Sequence, residues 1–184
     1  MKNILYNAAA IIFFSSPVFA ENLTNQINVI GLIPGISTPA QVNAAADNGI
    51  TNSGLGSLDK SLDTLNSGMF TIGGIKMNCA VSFDKNKMEL FSCVTGMFAS
   101  NVETHNILKR GFQEKFGTPY IDKDSVIRNK LGVEYNTNSV SWKDKSGNAL
   151  ILRMMVDKLD QGDLTIESNE FLQKQEQQEN ARRF

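Results

Sequence analysis

The sequence predicts an α+β fold, with an antiparallel sheet of about four to five strands and two to three helices packed on one face. Two observations lead to this class. Apolar residues recur at helical spacing in three segments before residue 120, and they alternate with polar residues in a hairpin at 75–95 and in three later segments. The turns between the later segments are short, which favours antiparallel pairing.

The first twenty residues are typical of a secretory signal peptide. A basic start, Met1–Asn3, precedes an apolar run, Ile4–Phe14, and a small-residue exit, Val18–Ala20. The run is shorter than the roughly 20 apolar residues that a membrane-spanning helix needs. We therefore expect cleavage after Ala20, no integral membrane segment afterwards, and a periplasmic or secreted protein.

Length and charge limit the kind of protein that remains. Cleavage would leave 164 of the 184 residues, enough for one domain of ordinary size, about 100–150 residues. We place that domain at 21–172 and a polar C-terminal tail at 173–184. In the chain after Ala20, 17 Lys and Arg residues nearly balance 19 Asp and Glu residues, and no basic run carries interleaved aromatic residues. Nucleic acid is therefore not an expected partner.

The predicted helices begin after the leader segment. Thr38 and Gln41 form a capping box around Pro39, and Gly49 ends this first helix. Four leucines at spacings of three and four then predict a short amphipathic helix: Leu55, Leu58, Leu62 and Leu65.

The hairpin at 75–95 carries both cysteines. Alternation from Ile75 to Phe83, a turn near Asp84 and a return strand predict two antiparallel strands. A register that places Phe83 opposite Glu89 also places Cys79 opposite Cys93. In an exported protein such a pair favours a disulfide, and closing a loop of about 15 residues is worth on the order of 3 kcal/mol. Two buried free thiols are the alternative.

A third helix is predicted from a second capping box, Ser100 with Glu103. His105, Leu108, Phe112 and Phe116 lie on one face of this helix, and Gly117 and Pro119 end it. A polar linker follows.

Three strands are predicted after the linker, at 133–142, 149–156 and 164–168. Trp142, the single tryptophan, alternates with polar neighbours and is expected in the core; the alternative is a surface hot spot. The polar tail at 173–184 is expected to be a solvated helix or a frayed end.

No residue pattern makes a convincing catalytic site. Ser57 and Lys60 match Ser-x-x-Lys, and Lys145–Gly147 resembles a Lys-Thr-Gly element, but such short patterns are common by chance. His105, a possible general base, is in line with apolar residues and is expected to pack.

The chain is not expected to bind a metal or another cofactor. Two cysteines and one histidine cannot supply the four ligands of a structural zinc site. The carboxylates Asp122 and Asp124 are expected in a solvated loop, and those of Asp157, Asp160 and Asp163 beside a turn.

Three segments together resemble small bacterial envelope proteins. Gly35–Val42 resembles their first helix start, Leu108–Pro119 their Phe-Gly-x-Pro helix end, and Trp142–Gly147 their terminal Trp hairpin. The group is that of the outer-membrane-assembly small subunit (BamE-like) and the β-lactamase-inhibitor-like α+β fold. The chain lacks the lipidated cysteine of the assembly subunit. The resemblance implies a protein-binding envelope module and carries over no catalytic residue.

We therefore expect an exported, non-enzymatic protein-binding module of the bacterial cell envelope. Its partner would be another envelope or secreted protein, with Tyr120 and Trp142 as candidate binding residues. One alternative is a periplasmic inhibitor or immunity protein against a cell-wall hydrolase or toxin, which would insert a loop or present its sheet. The other is a small-ligand carrier, with a pocket between the Phe112/Phe116 helix and the sheet.

Overall fold

The computed structural model describes residues 23–52, 62–84, 87, 91–99, 101–129, 131–154 and 161–182. The elements in chain order are β1 (Leu23–Thr24), α1 (Pro39–Ala45), β2 (Ile50–Asn52), β3 (Leu62–Ile72), β4 (Ile75–Asp84), β5 (Phe91–Ala99), α2 (Val102–Phe116), β6 (Ile121–Arg128), β7 (Glu134–Asp144), β8 (Ala149–Arg153), β9 (Gln161–Glu167) and α3 (Asn169–Arg182).

The predicted fold class is wrong, because sheet dominates the structure. The described residues form one mixed sheet of nine strands in the order β1-β7-β8-β9-β5-β4-β3-β2, with β6 also paired to β7. The pairings are antiparallel except for β1 with β7, which is parallel. A sheet of four to five strands with helices packed on one face therefore does not describe this protein.

One error is the leucine-spaced helix. Leu62 and Leu65 belong to the strand β3, and Leu55 and Leu58 lie outside the described residues. A two-residue turn, Gly73–Gly74, joins β3 to β4, and both glycines have positive φ. That geometry matches the twist of a hairpin and fixes the register of the two strands. Pairing along the whole of β3 outweighs the local helical spacing.

The other error is the polar linker, which contains β6. Its residues are almost all exposed. A strand that is solvated on both faces needs no apolar alternation, and alternation is the signal that sequence analysis uses to recognise a strand. β6 pairs with β7 from Ile121 opposite Ser141 to Arg128 opposite Glu134.

The β4–β5 hairpin forms as predicted, but its predicted register is wrong. Cys79 lies opposite Gly96, and Cys93 lies opposite Ser82, with an irregularity between Ser82 and Phe83. Cys79 is a buried free cysteine, and burial raises the pKa of its thiol to about 12. The side chain of Cys93 is outside the described residues, so the disulfide stays a prediction. The cross-strand geometry that suggested it is absent, because Cys79 and Cys93 do not lie opposite each other.

The predicted strands near the C-terminus correspond to β7, β8 and β9, with shifted ends. α1 has the predicted capping box. α2 ends at Gly117 as predicted, but its N-cap is Asn101, whose side chain accepts from the Thr104 N–H at 2.6 Å. Ser100 lies outside the described residues.

The C-terminal segment is helical over Asn169–Arg182 and is attached to the sheet. Phe171 is buried, Lys87 pairs with Glu170 at 2.7 Å, and Lys174 pairs with Asp84 at the end of β4. The predicted polar tail therefore continues a helix that begins inside the predicted domain.

The core lies between one face of the sheet, α2 and residues 27–46. Paired positions such as Phe70 with Met77, Val94 with Ile166, and Leu152 with Leu164 share that face. The buried apolar side chains on the strands of this face are Phe70, Ile72, Met77, Cys79, Val81, Phe83, Val94, Phe98, Val140, Trp142, Leu150, Leu152, Leu164 and Ile166. Leu108 and Phe112 of α2 and Ile27, Val29, Leu32 and Val42 pack against them.

Asp144 connects this core to the segment that contains Ile27 and, through Asn148, to the start of α3. Its carboxylate accepts hydrogen bonds from the backbone N–H groups of Ile27, Ser146 and Asn148 and from the Asn148 side-chain amide, at 2.9–3.1 Å. Asn148 Oδ1 in turn accepts from the Asn169 N–H at 3.0 Å, where α3 begins.

We predict that Asp144→Ala lowers the free energy of unfolding by about 3 kcal/mol, because four donors, three of them buried, lose a charged acceptor. Urea denaturation of the purified mature protein measures this loss. Glu134→Ala is the matched control, since that carboxylate pairs with Arg128 at the surface and contributes far less. Equal losses in the two variants would contradict the central role of Asp144.

Candidate functional site

The β6–β7 arm, described over residues 121–129 and 131–138, is a two-stranded ribbon that extends beyond the strand β8 as far as the described residues show. β8 pairs with β7 from Ser139 to Lys143, and the Met154 N–H after it donates to the Asn138 carbonyl at 3.0 Å, whereas β6 pairs with β7 from Glu134 to Ser141. Among the described residues, no strand pairs with the other edge of β6. Its backbone hydrogen-bonding groups along that edge are thus available to another chain.

Large apolar side chains are exposed on the arm and at its base. These exposed side chains are Tyr120, Ile121, Val126, Leu131 and Val133. Single exposed apolar residues are ordinary, but a group of them on a projecting ribbon is typical of an interaction surface.

The tip of the arm is held by Asn129. Its side-chain oxygen accepts from the backbone N–H groups of Leu131 at 2.9 Å and Val133 at 3.0 Å. Two backbone hydrogen bonds close the same turn, and Gly132 has the positive φ of 82° that the turn requires. The Leu131 side chain, whose backbone N–H is held by Asn129, is 87% exposed.

A polar network joins the base of the arm to α2. Asn138 Nδ2 donates to Asp122 Oδ1 at 2.9 Å and to Asp124 Oδ1 at 2.8 Å. Its Oδ1, 2.9 Å from His105 Nε2, must therefore accept from that nitrogen. Lys109, one turn further along α2, pairs with Asp122 at 2.7 Å. Asp122 and Asp124 thus lie in a strand, not in the predicted loop.

These contacts fix the tautomer of His105. Because Nε2 carries the proton, Nδ1 is an unprotonated acceptor, and it has no hydrogen-bond partner among the described residues. The side chain is only 2% exposed. Burial lowers its pKa, the Asn138 hydrogen bond and the Asp122 charge oppose that shift, and the Lys109 charge adds to it. A histidine so enclosed cannot reach a substrate and serves to join α2 to the arm.

The Asp122 carboxyl is held in its charged form by the same contacts. Partial burial raises its pKa, but hydrogen bonds from Asn138 and Lys109, with the Lys109 charge, outweigh burial and give a net lowering. The base of the arm therefore carries a stable ion pair between helix and strand.

An apolar cavity of about 190 Å³, open to solvent on the side where Ile30 and Ile107 are exposed, lies between α2 and the β3–β4 turn; we call it the α2 cavity. Its lining residues are Val29, Ile30, Ile72, Gly73, Ile107, Leu108, Gly111, Phe112 and Lys115. This is the region, between the Phe112 helix and the sheet, in which a ligand pocket was predicted.

The two predicted binding residues lie in different surroundings. Trp142 is fully buried, donates from Nε1 to the Gly117 carbonyl at 3.0 Å, and packs edge-to-face on Phe112. It therefore offers no surface to a partner. Tyr120 is 39% exposed beside the arm, with the Lys143 ammonium 5.8 Å from its ring centre.

Of the two short catalytic patterns, only Lys145–Gly147 lies in the part of the chain that the structure describes. Ser57 and Lys60 lie outside the described residues. Lys145–Gly147 form the β7–β8 turn around Asp144, as turn chemistry predicts.

Of the three carboxylates predicted beside a turn, only Asp163 is among the described residues. Asp163 is buried in β9 and pairs with Arg153, whereas Asp157 and Asp160 are outside the described residues. In the part of the chain that is described, no three His, Cys, Asp or Glu side chains are grouped to hold a metal ion.

Sequence analysis missed the arm and its tip. A usable signal existed, because Asn129 and Gly132, residue types favoured in turns, stand between the apolar residues Ile127 and Val133. The partners of Asn138 had no such signal, since they depend on strand pairing.

Comparisons with protein-family models, with curated proteins and with solved structures found no match to this chain. The resemblance to small envelope proteins stays a prediction. Among the helices of the described residues, none has the length and apolar character needed to cross a membrane.

We predict that His105 makes the protein less stable in mild acid. Its folded-state pKa lies below the value of 6.5 expected in the unfolded chain, so the unfolded chain binds the proton first. The free energy of unfolding should therefore decrease as the pH falls below about 6.5 towards the folded-state pKa. Urea denaturation at pH 7.5 and 5.5 measures this change.

His105→Gln is the matched variant, because it removes the titrating group and retains a donor for Asn138. His105 is the only histidine of the chain, so most of the loss between these pH values should disappear. An unchanged loss in the variant would mean that another group is responsible.

Proposed function

We propose that this chain is an exported, non-enzymatic protein-binding module of the bacterial cell envelope, and that the β6–β7 arm is its binding element. The proposal rests on the exposure of the Leu131 side chain at the tip of the arm. Among the described residues, no strand pairs with the outer edge of β6. Export rests on the signal-peptide pattern of residues 1–20.

The arm suits a protein partner better than a nucleic acid. A free strand edge can add a strand of the partner, with main-chain hydrogen bonds supplying affinity and side chains supplying specificity. The described charges of β6 and the start of β7 are mixed, with Asp122, Asp124 and Glu134 beside Lys123 and Arg128. Phosphate backbones require a concentration of positive charge, which the arm does not offer.

Hydrogen bonds at the tip make binding less costly. Asn129 holds the backbone N–H groups of Leu131 and Val133 before any partner arrives, so these residues lose less backbone freedom on association. An apolar side chain at the end of such a turn can fill a pocket in a partner. This geometry supports the inhibitor or immunity version of the proposal, in which the tip enters the cleft of a cell-wall hydrolase or toxin.

We predict that Leu131→Ser removes partner binding without unfolding the protein. The exposed leucine contributes nothing to the core, whereas full burial of a leucine side chain in a partner pocket is worth about 1.5–3 kcal/mol. The measurement is recovery of a stoichiometric partner after gentle crosslinking of envelope extract, with wild type and variant compared.

Ile36→Ser is the matched control, because Ile36 is also exposed but lies before α1. It should recover the partner as the wild type does. Equal recovery by Leu131→Ser would exclude the tip as anchor, and no reproducible partner with either protein would end the proposal.

A second candidate is the small-ligand carrier, which the α2 cavity supports. Its volume of about 190 Å³ exceeds the roughly 150 Å³ of an engineered apolar cavity that binds benzene. Native mass spectrometry of protein purified without denaturation tests this candidate. A displaceable mass on wild type that is absent from Gly111→Leu is expected, because the leucine would fill the cavity.

A further inference from the structure

We propose that the α2 cavity binds a small amphipathic carboxylic acid, with its apolar part inside and its carboxylate at Lys115. The inference rests on the ligand-carrier candidate and does not depend on the β6–β7 arm. It specifies the chemical class of the ligand, which the cavity volume alone leaves open.

The lining selects an apolar body. Six of its nine residues carry apolar side chains and two are glycines, so Lys115 is the one lining side chain that can form a hydrogen bond. A sugar or peptide would lose its hydrogen bonds with water inside such walls and gain few in return. By comparison with benzene in a cavity of roughly 150 Å³, the body has the size of one ring or a chain of about six carbons.

Lys115 selects the charge of the head group. The ammonium lies 5.6 Å from the Phe116 ring centre, and among the described residues no carboxylate lies within ion-pair distance. Lys87, Lys109 and Lys174 are each paired with a carboxylate. The dipole of α2 also favours a cation in its last turn, so the experiment must separate a ligand contact from a purely structural role.

Beside Lys115, the glycine at position 111 of α2 supports a ligand site independently. A glycine inside a helix is unfavourable, and Gly111 has neither a positive φ nor any atom within 4 Å of an added Cβ. No steric requirement visible in the described residues explains it. Gly111 is exposed and lines the cavity, so a larger side chain at this position would extend over the cavity opening.

The probes are hexanoate and its neutral counterpart hexanamide, titrated into the mature protein at pH 7.5 with backbone resonances as the readout. We expect hexanoate to shift resonances of the cavity lining and to bind about three-fold more tightly than hexanamide, as a partly exposed ion pair allows. Lys115→Gln should remove this three-fold preference and leave hexanamide binding unchanged. Lys123→Gln, on the exposed strand β6, is the control and should keep the preference.

Two cavity-filling variants complete the design. Gly111→Leu and Ile107→Trp should weaken both probes at least ten-fold, whereas Gly111→Ala should remain folded and at least as stable as wild type. Two variants are used so that a folding defect in one leaves the other informative.

The outcomes separate the two levels of the proposal. Equal binding of both probes, abolished by cavity filling, would overturn the carboxylate inference and leave the ligand carrier standing. No shift at the cavity lining with either probe, or shifts that persist after the cavity is filled, would overturn both.

Discussion

The carboxylate of Asp144 is the interaction on which the rest of the structure depends. It accepts four hydrogen bonds at a buried position where β7 ends. Through Ile27 it holds the N-terminal segment over the sheet, and through Asn148 it holds the start of α3. Three parts of the chain that are distant in sequence thus meet at one charged group, and buried donors of this kind require such an acceptor. This arrangement also explains the short parallel pairing of β1 with β7, since Thr24 lies opposite Asp144.

Asp144 fixes the C-terminal end of β7, and further contacts along the strand position its N-terminal end. Trp142, two residues earlier, packs on Phe112 and bonds Gly117, so the end of α2 is attached to the same strand. Further back, Asn138 joins His105 of α2 to β6. The beginning of β7 extends past β8 and, with β6, forms the arm. The arm therefore projects from a base that is tied at several points to helix and sheet, which suits a surface that must hold its shape on binding.

The parts of this structure that could be predicted from sequence are those determined locally. Thr38 with Gln41 predicts α1, Gly117 ends α2, and the alternation around Trp142 places it in the core. Errors arose where distant pairing decides the outcome. Leucine spacing in β3 is helical, but pairing with β4 makes the segment a strand, and the register of the cysteines depends on an irregularity at Ser82 that no local pattern reveals.

The candidate site was harder to predict than the fold for a related reason. A core position leaves an apolar periodicity in the sequence, because burial constrains every second or every third to fourth residue. A solvated arm leaves no apolar periodicity in the sequence. A cavity is defined by side chains that are absent, as at Gly111. Only the general location of the cavity, beside Phe112, followed from the helix pattern. Both features share α2, since Leu108 and Phe112 line the cavity and His105 faces the arm. A ligand in the cavity and a protein partner on the arm would therefore act on the same helix, and any coupling free energy between them would be reciprocal.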